Sequence, residues 1–300
     1  MHGNKKTSKQ GKPNFLHLSS AIDYELIDSG NRRKLERFGK YIFDRPEIEA
    51  NWDPKVNKSE WLKCDWRFYE ERGKKGHWTN KSNAPEEWTI NYNYQDVFLS
   101  FNLKSTAFKH LGIFPEQAEN WKFMQREIAK YRGEVKVLNL FAYTGAASVV
   151  AAAAGAHVTN VDSVKQVLNW GKLNAETNSV KNIRWILEDA RKFVQKAIRR
   201  GEKFQGIIMD PPAFGYGANK EKWKLENDLQ QLLEDVTQLL HPKRHFFILN
   251  TYSLKLSLPK LKTMLSKVDR FPTKYDATIL GLKSSKGQVL PLGNLIRFSK

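Results

Sequence analysis

Asp210-Pro-Pro-Ala-Phe214 is the most chemically pointed string in the chain. It follows an apolar run over 204–209, and two successive prolines stiffen a loop and withhold backbone donors. Asp210 and a Pro211 carbonyl left without competing donors can accept protons of an amine or a ring nitrogen, while Phe214 can stack on a planar base. The plain alternative is a rigid turn capped by a packed aromatic. Three other positions stand in step with this loop. Phe141-Ala-Tyr-Thr-Gly-Ala-Ala147 also follows an apolar run; Gly145 permits a turn, and the small residues beyond it let a helix N-terminus approach a ligand. The loop is not G-x-G-x-x-G, so a nicotinamide or flavin pyrophosphate site is not indicated. Asp162 can accept both hydroxyls of a ribose, a place where a phosphate would be repelled. Asp189 can accept an adenine amino group or, more plainly, cap a helix.

All four positions fall at the carboxyl ends of candidate strands. After Gly133, apolar strands at 135–140, 157–161, 183–187, 204–209 and 246–249 alternate with helical patterns at 146–154, 164–177, 190–200, 225–240 and 258–268. Two more strands, near 275–282 and 295–298, flank a turn at 284–287. Regular alternation predicts right-handed crossovers and an α/β fold: a doubly wound, mostly parallel, seven-stranded Rossmann-like sheet with an antiparallel last strand. In such sheets the ligand lies beyond the carboxyl ends, near the point where strand order reverses. Upstream, the short alternating runs of 24–101 predict a β-rich module. The expected organisation is a flexible basic tail over 1–13, a β-rich N-terminal module over 14–105, a connecting segment and helix over 106–130, and a nucleoside-binding domain over 131–300. Six of nine tryptophans lie before residue 130, where half-buried strands account for them better than base stacking does.

Charge speaks to partners. The chain carries 50 basic and 32 acidic residues, a net +18. Residues 131–300 hold 27 basic and 14 acidic residues, net +13, against net +5 for 1–130. Nucleic acid is the usual partner of such a surface. A single cysteine excludes an internal disulfide, and the scattered histidines do not predict a metal site. The longest apolar stretch, 148–154, is far below the ~20 residues of a membrane helix. The polar start of the chain does not read as a signal peptide, so the expectation is a soluble cytoplasmic protein. The basic run 220–224 reads either as a solvated first helical turn or as a phosphate contact.

With those residues in view, 131–300 resembles the class I S-adenosylmethionine-dependent methyltransferases, and more narrowly the large-subunit ribosomal RNA methyltransferase I/K group. Leu138-Asn-Leu-Phe-Ala-Tyr-Thr-Gly145 resembles that group's cofactor loop and Asp210-Pro-Pro-Ala-Phe214 its catalytic loop. Phe108-Lys-His-Leu-Gly-Ile-Phe-Pro-Glu-Gln117 resembles the segment that closes over the cofactor. The resemblance implies that Phe114, Gln117, Phe141, Tyr143, Thr144, Gly145, Asp162, Ser163, Asp189 and Asp210 hold S-adenosyl-L-methionine. It implies that Asp210, Pro211, Pro212 and Phe214 are catalytic, with Phe114, Phe141 and Tyr143 lining one pocket. The implied substrate is RNA, ribosomal RNA in particular, with no metal and no membrane.

One departure has chemical content. Some members of the group carry a cysteine after strand five, where this chain has Asn250-Thr-Tyr-Ser253. Methylation at C5 of a pyrimidine needs a nucleophile to add at C6, usually a thiolate, and Cys64 lies far upstream, in a tryptophan-rich strand region. A nitrogen acceptor needs no covalent step, so nitrogen methylation is favoured. Methylation of a protein or small molecule, 5-methylcytosine formation, and an RNA-binding protein with a relict cofactor fold stand as alternatives.

Overall fold

The computed structural model describes residues 15–18, 21–71, 76–217, 221–253 and 255–300, and the expected tail over 1–13 lies outside them. In chain order, β1 (Phe15–His17) is followed by β2 (Tyr24–Gly30), β3 (Arg33–Phe38), β4 (Tyr41–Pro46), a one-turn helix α1 (Lys58–Trp61), β5 (Trp66–Glu70) and β6 (Gly76–Asn80). Strands β2 to β6 form a five-stranded sheet in sequence order, and β7 (Glu87–Tyr94) pairs with β8 (Val97–Lys104) as a hairpin. Alternating aromatics drive this half. Phe38, Phe43, Trp66 and Phe68 are buried, and Phe43 stacks on Trp88 at 4.9 Å. Such a ring pair contributes roughly 0.5–1.5 kcal/mol beyond its buried area. None of the six early tryptophans is exposed, so packing is the right account of them.

A 3₁₀ turn (Pro115–Gln117) leads into α2 (Ala118–Ile128), proline sitting at the helix start where its missing N–H costs nothing. The alternating half then runs β9 (Lys136–Leu140), α3 (Ala146–Ala153), β10 (His157–Asp162), α4 (Lys165–Thr177), β11 (Ile183–Leu187), α5 (Ala190–Arg199) and β12 (Gly206–Met209). A small hairpin, β13 (Phe214–Tyr216) and β14 (Lys222–Lys224), precedes α6 (Leu225–Gln238), β15 (Phe246–Thr251), α7 (Leu258–Leu265), β16 (Asp276–Lys283) and β17 (Val289–Ser299). Lys222–Lys224 of the basic run are therefore strand rather than a first helical turn, with Trp223 buried at their centre.

The main sheet has the order β1-β16-β17-β15-β12-β9-β10-β11. Strands β9, β10, β11, β12 and β15 are parallel, and β17 is antiparallel to both neighbours. The seven expected strands are all present. An eighth, β1, adds to the edge in parallel with β16, so Phe15–His17 pairs outside the N-terminal sheet with which it was grouped. Strand order reverses beside β9, which has β10 on one side and β12 on the other. One apolar cluster joins Phe38, Phe43, Ile90 and Tyr92 of the first half to Trp121, Met124, Val137 and Val149 of the second, so the hydrophobic core is continuous across residues 105 and 130. Polar contacts join the same parts: Asn174 Oδ1 of α4 accepts from the Asn102 N–H of β8 at 2.9 Å, and the Trp170 indole N–H donates to the Asn102 carbonyl at 2.7 Å.

Candidate active site

The loop after β9 bends unusually. Phe141 and Tyr143 both hold positive φ, 56° and 51°, a region that costs non-glycine residues energy and persists only where surroundings impose it. Here the loop is pinned along its length. The Tyr143 N–H donates to Asp162 Oδ2 at 2.8 Å, Thr144 Oγ1 donates to the Gly112 carbonyl at 2.5 Å, and Asn174 Nδ2 donates to the Thr144 carbonyl at 3.1 Å. Gly145 closes the loop at φ 70°, and a Cβ there would sit 2.9 Å from the Trp185 ring. Only glycine fits both demands.

Asp162, at the end of β10, also accepts the Val164 N–H through Oδ1 at 2.9 Å. Burial pushes its carboxyl above the usual range, against backbone donors from Val164, Tyr143 and Ser163 that favour the charge. Asp189 caps α5, accepting the N–H groups of Arg191 and Lys192. Such a cap stabilises a helix by ~1 kcal/mol, so the plain reading of Asp189 holds. Its carboxylate nonetheless borders a narrow crevice lined by Phe141, Asp162, Ser163, Pro212, Tyr216 and Trp223. Ser163 Oγ meets the Tyr216 carbonyl at 3.3 Å and closes the crevice on that side.

Asp210 lies at the end of β12, its N–H directed to the Leu140 carbonyl at 3.4 Å. Burial pushes its carboxyl up to about 8, the nearby Glu116 charge adding to the shift. Glu116 is itself buried and shifted upward for the same reason, opposed chiefly by Lys34. A polar network surrounds the two acids. Gln117 Nε2 donates to the Tyr252 hydroxyl at 2.9 Å and reaches Asp210 Oδ2 at 3.4 Å, while the Tyr252 hydroxyl donates to Glu116 at 3.0 Å. Asn120 and Asn250 both donate to Gln117 Oε1, which fixes the amide so that its N–H groups face the acid. Phe114 packs 5.5 Å from Tyr143 and 6.0 Å from Tyr252, giving an aromatic wall beside a buried acidic pair. That arrangement suits a cation.

The aromatic trio expected in one pocket is thus divided. Phe114 and Tyr143 stand together, whereas Phe141 packs on Trp223 at 5.1 Å in the crevice. The Pro212 carbonyl is not free either, since it accepts from the Trp223 indole at 2.6 Å. Phe214 is 50 % exposed and meets Tyr216, 55 % exposed, edge to face at 5.1 Å. Sequence reasoning missed Glu116, Asn120, Asn250, Tyr252, Tyr216 and Trp223. The signal for Asn250 and Tyr252 was present: they follow β15 as Asp210 follows β12, but the segment was read only for its lack of cysteine.

The N-terminal sheet holds the closing segment in place. Arg45 donates to the Lys109 carbonyl at 2.8 Å and is paired with Glu36, and Lys109 Nζ donates to the Pro46 carbonyl at 3.2 Å. These bonds anchor the chain just upstream of Phe114, Glu116 and Gln117.

A doubly wound sheet with acids after successive strands and a proline-stiffened aspartate loop at its switch point defines a nucleoside-cofactor enzyme of the Rossmann-like class. Residues 72–251 match the family model described as S-adenosylmethionine-dependent methyltransferase, and the chain belongs to that family. Its cofactor is S-adenosyl-L-methionine. The crystal structure of the SAM-dependent methyltransferase from Agrobacterium tumefaciens is 35 % identical, covers 96 % of this chain and 94 % of that one, and superposes with a TM-score of 0.88. SMU.776, solved in complex with SAH, shares the fold at 20 % identity and a TM-score of 0.70, over 93 % of this chain and 76 % of that one. Among curated proteins, ribosomal RNA large subunit methyltransferase K/L of Pseudoalteromonas translucida is 36 % identical over 125 residues, 40 % of this chain and 17 % of that protein. Ribosomal RNA large subunit methyltransferase I of Aeromonas salmonicida is 35 % identical over 106 residues, 34 % of this chain and 26 % of that protein. The matched stretches therefore span about a quarter or less of those two proteins. No helix among the described residues is long and apolar enough to cross a membrane.

Proposed function

We propose that the chain methylates a base of ribosomal RNA at a nitrogen atom. The observation that carries the nitrogen assignment is the Asp210 site, which holds a buried acid and exposed aromatic rings. The single cysteine lies elsewhere: Cys64 is buried beside Asp44, Lys81, Arg67 and Arg33, all of the N-terminal half, and burial pushes its thiol upward. A thiol held protonated there is a poor nucleophile. The ribosomal RNA assignment is supported by the names of the curated relatives and by the +13 charge of 131–300.

S-adenosylmethionine supplies an activated methyl group on a cationic sulfur. Asp162 would take the ribose hydroxyls through lone pairs not used by Tyr143 and Val164, with Phe141 and Pro212 walling the adenine crevice. Phe114, Tyr143 and Tyr252 would face the sulfonium beside Asp210. A cation there favours the carboxylate form of Asp210, which then accepts a proton from the methylated nitrogen. Phe214 and Tyr216 would hold the base in plane.

Affinity for S-adenosylmethionine is then expected to rise between about pH 6 and pH 8, as Asp210 ionises through its pKa of about 8. S-adenosylhomocysteine, whose sulfur is neutral, should show a smaller rise. Calorimetry with both ligands across that range checks this, and parallel slopes would count against placing the sulfonium beside Asp210. Cys64→Ser should leave methyl transfer within about twofold, as expected for a position outside the reacting atoms. Loss of transfer in a folded Cys64→Ser protein would overturn the nitrogen assignment. Filter binding of ribosomal RNA fragments at two salt concentrations tests the substrate class. A steep fall with salt is expected, because each phosphate contact releases counterions, and weak binding at both concentrations would favour another substrate.

A further inference from the structure

Beside the active site lies an open cleft of about 550 Å³ lined by Glu226, Lys255, Leu256, Lys260 and Met264. Its two walls are continuous with the two loops that build the site. On one side, Glu226 lies in the first turn of α6, two residues beyond Lys224, the register partner of Phe214. On the other, Lys255 and Leu256 follow closely on Tyr252, whose hydroxyl bonds Glu116 and Gln117. Lys260 stands on the first turn of α7 and reaches back to the Lys255 main-chain carbonyl at 3.4 Å, and both lysines line the cleft. The floor is apolar: Leu256 is buried and Met264 half-buried.

We propose that this cleft is a second nucleotide subsite, taking the residue next to the target in a single-stranded stretch of RNA. The proposal rests on the RNA reading of the active site given above. An apolar floor between lysines matches a flat base carried on a phosphate, the combination by which single strands are held. The polarity of the rim sets the orientation. Glu226 repels phosphate, so the phosphate belongs on the Lys255–Lys260 side and the base edge on the Glu226 side. A carboxylate there accepts from an exocyclic amino group, as acidic side chains accept from cytosine N4. The subsite therefore favours a neighbour bearing an amino group over uridine. Both walls begin within a few residues of the site: Glu226 follows the strand that pairs with Phe214, the ring assigned to the target base, and Lys255 follows Tyr252, assigned to the sulfonium.

Fluorescence anisotropy with single-stranded nine-nucleotide RNA probes, oligocytidine and oligouridine, tests this in the full chain. Lys255→Ala/Lys260→Ala should weaken oligocytidine binding about tenfold and lower the salt slope by about 0.7, the value for one single-strand phosphate contact. Its affinity for S-adenosylmethionine should not move. Glu226→Gln should narrow the preference for oligocytidine over oligouridine. The comparison is Lys136→Ala/Lys243→Ala, which removes the same charge at the opposite end of the sheet, where β9 and β15 begin. An equal loss in both double variants would overturn the subsite and leave a diffuse basic surface. Unchanged oligocytidine binding in Lys255→Ala/Lys260→Ala, with the parent still methylating ribosomal RNA, would overturn the subsite alone. A parent that binds neither probe and does not methylate ribosomal RNA would remove the RNA reading and the subsite with it.

Discussion

Asp210→Asn is expected to lower turnover by about a hundredfold or more while leaving the fold intact, the usual scale for removing a positioned proton acceptor. The amide matches the carboxyl in size and keeps one acceptor oxygen, so packing at the end of β12 should survive. What it lacks is the charge that ionisation near pH 8 provides in the parent. The parallel change Phe214→Ala should also cost about a hundredfold, because an ångström of misplacement at the reacting centre has that effect. Phe214 is half exposed, so its truncation should not unfold the chain. The Phe214→Ala loss should fall on kcat rather than on cofactor affinity, whereas Asp210→Asn should also remove the rise of S-adenosylmethionine affinity with pH. Single-turnover kinetics with a tritiated methyl donor separates the two quantities. A Phe214→Ala variant with parental turnover would remove the base-stacking role.

The second large effect is on cofactor affinity. Asp162→Ala should weaken S-adenosylmethionine by about ten- to a hundredfold, or ~1.5–3 kcal/mol, the cost of losing a charged hydrogen-bond acceptor. The same carboxylate pins the Tyr143 and Val164 N–H groups, so some of the loss would come through a loosened Tyr143 loop. Asp162→Asn separates the contributions, since an amide retains one acceptor for the loop. A thermal melt shows whether either variant remains folded. Parental affinity in a folded Asp162→Ala protein would contradict the assignment of the crevice to the ribose.

The strands and helices of the second half were legible because apolar runs alternate with helical periods long enough to read, with stops such as Gly155 and Gly201 marking helix ends. The placement of Asp162, Asp189 and Asp210 at strand ends followed directly from that pattern. β1 was not legible: three residues at a sheet edge have no period, and their partner β16 stands some 260 positions away. Lys222–Lys224 escaped for a related reason, since a three-residue strand before a helix is locally indistinguishable from its first turn. The acidic pair was invisible for a different one. Glu116 and Asp210 are separated by 93 positions plus one, as the Gln117–Asp210 contact shows, and only the folded sheet brings them together. Their burial, rather than their identity, moves both carboxyls upward. The bond from the Trp223 indole to the Pro212 carbonyl is not legible either, because nothing local to the loop announces that donor.

The most direct test of the whole account is the chemical identity of the product. Ribosomal RNA from cells lacking this protein, incubated with the purified chain and S-adenosylmethionine, would be digested to nucleosides and separated by liquid chromatography with mass detection. The account predicts a new nucleoside carrying its methyl group on a base nitrogen, absent when the Asp210→Asn variant replaces the parent. Formation of 5-methylcytosine, or no methyl incorporation into ribosomal RNA by a protein that binds S-adenosylmethionine, would contradict it.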